Sequence, residues 1–344
     1  MNGSVPAGPV SIFGGGDMGG RHEGLTRRRL FTGILSGAAA AAFGKRLALA
    51  STDTVRVVRV ESGDVWRGDA RDPQVVARMV NAGVMTFSGG ATPEAAWRFF
   101  FKPGTRVGLK INLLGRPLSY TAPEVTDAVA AGVLLAGVKS EDVIVWDRWK
   151  DHFGPTRYKF GRGTFGQSVE HGGSYDRVLA LRASGGVCPI DTIPVNRTDV
   201  TVNLPVLKDH ETSGVTLALK NIAFGCYDHH RSAHENYCDP FIAEACEHFA
   251  AKTRVPLIGM DATEGCFDNG PRPSDRSRLW RENAIYVATD PVALDVVCRN
   301  VIMRKRSEKG LADKTRQCRH IETAARKGLG IGDASRIEVT TVRV

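Results

Sequence analysis

Apolar and polar positions along this chain fall into blocks of two lengths. Short β-branched or apolar runs over 55–60, 106–111, 143–146, 199–204, 256–260, 284–288 and 336–341 predict strands. Longer amphipathic blocks over 73–84, 92–101, 123–136, 240–251, 291–302 and 321–327 predict helices. Their ends carry matching punctuation. Asp72 and Asp290 each stand before a proline as N-caps, Thr92-Pro93-Glu94 opens another helix, and Gly137 and Gly328 follow helix ends. An apolar segment over 215–222 surrounds Lys220. This alternation predicts an α/β fold, with a mainly parallel mixed sheet and helices on both faces. The polar, glycine-rich stretch 150–174 has no apolar period and reads as an inserted loop or lid, and as the seam between two lobes.

One apolar block breaks the alternation. The Ala-rich run 30–43 sits directly behind Thr26-Arg27-Arg28-Arg29, with Leu30-Phe31 at its start. Adjacent arginines in that setting predict a twin-arginine export signal. Its 14 residues are too few for a membrane span, which takes roughly 20 apolar residues. Lys45, Arg46 and then Ala48-Leu49-Ala50 follow, an A-x-A pattern that predicts cleavage after Ala50. The expectation is a signal peptide over 1–50 with a flexible n-region, and a single α/β domain over 51–344. The domain would be carried folded by the twin-arginine translocase to the periplasm or outside the cell. No stable membrane span is expected after cleavage. Gly14-Gly15-Gly16-Asp17-Met18-Gly19 fits G-x-G-x-x-G, but no buried strand precedes it, so it is discarded as a dinucleotide motif.

Charge changes the picture only slightly. Residues 1–50 hold six of the 46 basic and two of the 37 acidic side chains, which leaves 40 and 35 and a net charge of +5. No Lys/Arg-rich block with interleaved aromatics occurs, which argues against nucleic-acid binding. A small anionic partner suits the balance better. The seven cysteines all follow residue 187 and form no C-x-x-C, so neither an iron–sulfur cluster nor a zinc ribbon is expected.

In an open α/β sheet, ligands bind beyond the carboxyl ends of the strands. Five predicted strands deliver polar groups there: Lys110 and Asn112; Asp147 and Arg148; Lys208, Asp209 and His210; Asp261; and Asp290. Asp290 equally reads as a helix cap, and Asp147 with Arg148 as a salt bridge. Lys208, His210, Lys220 and Asn221 together could hold a carboxylate or phosphate. Within this set Lys208, His210, Lys220 and Asp261 are the catalytic candidates, with His210 as general base. Lys110, Asn112, Asp147, Arg148, Asn221 and Asp290 are the substrate-binding candidates. Lys220, inside an apolar run, is either snorkelling or functional.

A second cluster spans 226–239, with three histidines and two cysteines in 14 residues. His230, His234 and Cys238 recur at i, i+4 and i+8, which on a helix would share one face and suit a divalent transition metal. A metal-free polar substrate site and a solvated loop are the other readings.

Lys110-Ile111-Asn112, Val145-Trp146-Asp147-Arg148, the run from Asn203 to His210, Thr216 to Asn221, and Thr289 to Asp295 together resemble the domain of unknown function 362 family. The resemblance runs from about Val55 to the C-terminus. The export signal, with His234, Cys238, Asp239 and Pro240, resembles its twin-arginine-exported branch. It implies an α/β domain with a site around Lys208, His210, Lys220 and Asn221. The iron–sulfur motifs that some relatives carry are not in this chain, and the resemblance supplies no reaction. The expectation is an exported enzyme acting on a small anionic substrate, with or without a metal's help; the alternative is a non-catalytic periplasmic protein that binds an anion or a metal.

Overall fold

The computed structural model describes residues 54–183 and 185–344, and these described residues fall in one compact unit. The export signal and its cleavage site fall outside the described residues. The principal strands are β1 (Val55–Glu61), β2 (Val107–Lys110), β3 (Val143–Asp147), β4 (Ser168–His171), β5 (Tyr175–Ala183), β6 (Gly186–Asp191), β7 (Val200–Asn203), β8 (Val206–His210), β9 (Arg254–Cys266), β10 (Ala284–Ala288) and β11 (Ile337–Arg343). The helices are α1 (Pro73–Ser88), α2 (Pro93–Arg98), α3 (Pro123–Leu135), α4 (Leu217–Gly225), α5 (Phe241–Ala250), α6 (Pro291–Glu308) and α7 (Arg319–Arg326).

One mixed sheet of twelve strands, mostly parallel, carries the fold, in the order β11-β1-β10-β9-β7-β2-β3-β4 along its main path. β9, β7, β2, β3 and β4 pair in parallel. β10 runs antiparallel to both β9 and β1, and β1 pairs in parallel with β11. β8 adds to the far part of β9 in parallel.

The strands read as unbroken apolar runs because both faces are covered. Val143 and Val145 of β3 face one core and Ile144 and Trp146 the other. Helices α1–α3 pack on the first face, and α4–α7 on the second. The predicted caps form. Asp72 accepts from the amides of Gln74 and Val75, and Asp290 from those of Val292 and Ala293. Gly89 closes α1 in the left-handed region at φ 76°.

Residues 150–174 do more than form a loop: they supply β4, which extends the parallel sheet beside β3. A β5–β6 hairpin follows. Among the described residues no helix is long and apolar enough to cross a membrane.

Candidate functional site

The carboxyl ends of β2, β3 and β7 lie side by side, and helix α4 crosses above them. Lys110 ends β2, Asp147 ends β3 and Asn203 ends β7, all in buried positions. β8 adds Lys208 and His210 on one face, since alternate residues of a strand point the same way.

The start of α4 is unusual. Leu217 has φ 48°, which a residue with a Cβ rarely adopts. Asp295 of α6 holds this turn by accepting from the amides of Ala218 (2.7 Å) and Leu219 (3.0 Å). The turn sets the course of the helix that carries Lys220 and Asn221.

Lys110 and Asp147 form a buried ion pair of 2.7 Å. Asp147 also accepts from the amides of Leu113 (2.7 Å) and Arg148 (2.8 Å). Burial alone would push this carboxyl up. The Lys110 ammonium and the Arg148 amide outweigh it and hold Asp147 well below the usual carboxylate range.

A separate amide chain starts at Lys208. Lys208 Nζ donates to Asn112 Oδ1 (2.7 Å), Asn112 Nδ2 to Asn221 Oδ1 (2.9 Å), and Asn221 Nδ2 to Asn203 Oδ1 (2.7 Å). Asn203 Nδ2 ends it on the Ala218 carbonyl (3.0 Å). Each amide orientation is fixed by its neighbour, so the chain is rigid.

Lys208 and Lys220 are the unbalanced charges. Both are fully buried, and among the described residues neither has a carboxylate within ion-pair distance. Burial pushes each ammonium down to about 8. Lys220 Nζ lies 3.3 Å from the centre of the Phe224 ring and 3.5 Å from Cys238 Sγ. Burial also pushes the Cys238 thiol up, so it gives Lys220 no counter-charge.

A cavity of about 40 Å³ opens at this point, lined by Lys110, Asn112, Asp147, His152, Thr216, Lys220 and Asn221. Arg148 and Trp149 line both this cavity and a wider surface depression of about 740 Å³. The Arg148 guanidinium is held by Asp228 (2.9 Å) and Tyr175 (2.9 Å) and stacks over Trp149. Asp147 and Arg148 therefore have separate partners. Among the described residues, two side chains of the lining each have a buried polar atom with no hydrogen-bond partner: Thr216 Oγ1 and His152 Nδ1. His152 Nδ1 stops 3.8 Å from Asp147 Oδ2, beyond hydrogen-bond reach.

Thus Lys110, Asn112, Asp147, Arg148, Lys208, Lys220 and Asn221 gather as the sequence predicts. The other candidates do not. His210 is unsuited to be a general base: its Nδ1 accepts from the amides of Thr212 (3.1 Å) and Ser213 (3.3 Å), which puts its proton on Nε2. Burial, followed by Lys220 and Lys208, drives its pKa far below the ordinary histidine value. What it offers is a neutral Nε2–H donor.

Asp261 is not free to act as the catalytic group the sequence suggests. Its carboxylate is occupied by the Ala122 amide (2.8 Å) and by the amide and hydroxyl of Thr263 (3.1 and 2.7 Å). Asp290 lies at the opposite edge, because β10 runs against its neighbours; there it caps α6 and accepts from Ile331 (2.8 Å). The metal triad fails for a backbone reason. Helical spacing is broken by Asn236, Tyr237 and Cys238, three successive residues at positive φ. His230 Nε2 then meets the Val187 carbonyl (2.9 Å), His234 packs on Phe224, and Cys238 faces Lys220. Among the described residues no three His, Cys, Asp or Glu side chains are grouped so as to hold a metal ion.

Sequence reasoning missed Thr216, His152 and Asn203. Asn203 has a readable signal, a polar residue ending an apolar strand. The other two are marked only by lost partners in the folded interior.

Residues 107–300 match the family described as Domain of unknown function (DUF362). No curated protein matches the chain.

Proposed function

We propose that this protein, which belongs to the domain of unknown function 362 family, is an enzyme acting on a small anionic substrate whose charged or reacting group enters the cavity beside Lys220. One observation supports this reading: Lys220, a buried ammonium with no carboxylate at ion-pair distance among the described residues, lines a cavity, and a second such ammonium, Lys208, is bonded to Asn112 of the same lining. Burying an unpaired charge is costly, and an incoming anion would relieve that cost. The unpartnered Thr216 hydroxyl and His152 nitrogen supply polar groups that a reacting molecule could engage. A simple anion trap would not need them. The Lys110–Asp147 pair and the amide chain hold these groups rigid, as catalysis requires.

Calorimetric titration of the full chain with phosphate, sulfate and succinate from pH 6 to 10 tests the anion site. Saturable binding is expected, weakening as the pH rises through about 8, where both lysines lose their protons. Lys220→Met should abolish it. Binding that ignores pH, or survives in Lys220→Met, would overturn this reading.

We also propose export by the twin-arginine route, on the strength of Arg27-Arg28-Arg29 and the apolar run behind them. Lysine at all three positions should keep the chain in the cytoplasm of a competent host. Unchanged export would remove the proposal.

A further inference from the structure

We propose that Lys220 is a nucleophile that condenses with the carbonyl carbon of a small oxo acid to form an imine. This rests on the anion-site reading above and names the substrate class for it.

The geometry carries the inference. Lys220 lines the cavity; its Nζ sits between the face of Phe224 and a thiol, and among the described residues no carboxylate lies within ion-pair distance of it. A desolvated lysine in such a setting is the form of the amine that attacks carbonyls. With burial pushing it down to about 8, roughly a tenth is neutral at pH 7. Thr216, at the head of the same helix, lines the same cavity and has a buried hydroxyl with no hydrogen-bond partner. Lys208, anchored on Asn112, keeps its charge close by for the carboxylate of the acid.

The step balances without an oxidant or reductant. The Nζ lone pair forms the N–C bond and the carbonyl π bond opens to a hydroxyl, giving a carbinolamine. The nitrogen gives up its two protons, the oxygen takes both and leaves as water, and the C=N bond replaces C=O. The Thr216 hydroxyl is placed to relay a proton to the departing oxygen. The cavity has room for only a few heavy atoms. The acid therefore presents its carbonyl inward, and any longer remainder lies in the wider depression past Arg148 and Trp149.

Borohydride trapping of the full chain with pyruvate, followed by peptide mapping, tests this. L-lactate, an anion of similar shape without a carbonyl, is the binding control. The expected result is one reduced adduct per chain, on Lys220, lost in Lys220→Arg and formed at least tenfold more slowly in Thr216→Val. Mapping the wild-type adduct keeps the test valid if Lys220→Arg fails to fold. Binding of both acids with no adduct on Lys220 would overturn the imine and leave the anion site standing. Failure to bind either acid would overturn both.

Discussion

Lys220→Met should make the protein more stable at neutral pH, and the gain should fade as the pH rises. Methionine matches the length of lysine and adds no charge, so packing changes little. In the native protein burial pushes the Lys220 ammonium from 10.5 down to about 8. Each pKa unit is worth about 1.4 kcal/mol, so the buried charge costs about 3 kcal/mol below pH 8. Losing the Phe224 contact gives back up to roughly 2 kcal/mol, leaving a net gain of about 1–3 kcal/mol at pH 7.

The pH dependence follows from linkage alone. Between about 8 and 10.5 the unfolded chain holds the Lys220 proton and the folded chain does not. Wild-type stability therefore rises with pH in that window, and the variant lacks this term. The advantage of the variant should shrink by about 2.5 kcal/mol from pH 7 to pH 10. Lys208 titrates alike in both proteins and cancels. Urea unfolding followed by tryptophan fluorescence at pH 7, 8.5 and 10 measures it, with equal m-values confirming a common unfolded state. A pH-independent difference would refute the claim that Lys220 is buried as an unpaired charge. So would a variant that is destabilised at pH 7.

Two further outcomes follow from the same site. A Cβ on Gly225 would lie 2.6 Å from Lys110 Cε and 2.8 Å from its Nζ; Gly225→Ala should thus displace Lys110, weaken phosphate binding by roughly tenfold and lower stability, because it disturbs the buried Lys110–Asp147 pair. Unchanged affinity by calorimetry would contradict the close packing. Asp147→Asn strands Lys110 in the interior and should cost about 3–5 kcal/mol in urea unfolding at pH 7. Because Asp147 is held below the usual carboxylate range, its contribution is present at neutral pH and lost only as the pH falls below the ordinary carboxylate value toward its own lower one.

The fold was legible where local chemistry and burial agree. β1, β2, β3 and β10 are apolar runs because both faces of the sheet are covered, and Asp72-Pro73 and Asp290-Pro291 announce their helices. β8 is hidden because Lys208, Asp209 and His210 have the composition of a loop, and only tertiary burial makes them a strand. The direction of β10 has no local signature, so Asp290 was assigned to the wrong edge. Spacing in 230–238 suggests a shared helical face, but left-handed backbone at Asn236–Cys238 removes it. Lys110 and Lys220 stand out because a lysine inside an apolar run has few reasons to be there. Thr216 and His152 become visible only when the folded interior leaves them without partners.

The strand directions also decide how the molecule can be held for study. β1 and β11 run the same way as the strands that end at the cavity. Thr54, just ahead of β1, therefore sits at the rim away from the cavity, and Arg343, at the end of β11, at the rim that bears it. Five strand spacings separate β11 from β2, or roughly 24 Å sideways. A surface tether at Thr54 leaves the cavity facing solution. One at Val344 turns that rim toward the support, and a bulky C-terminal label shares the rim while standing well to one side of the entrance.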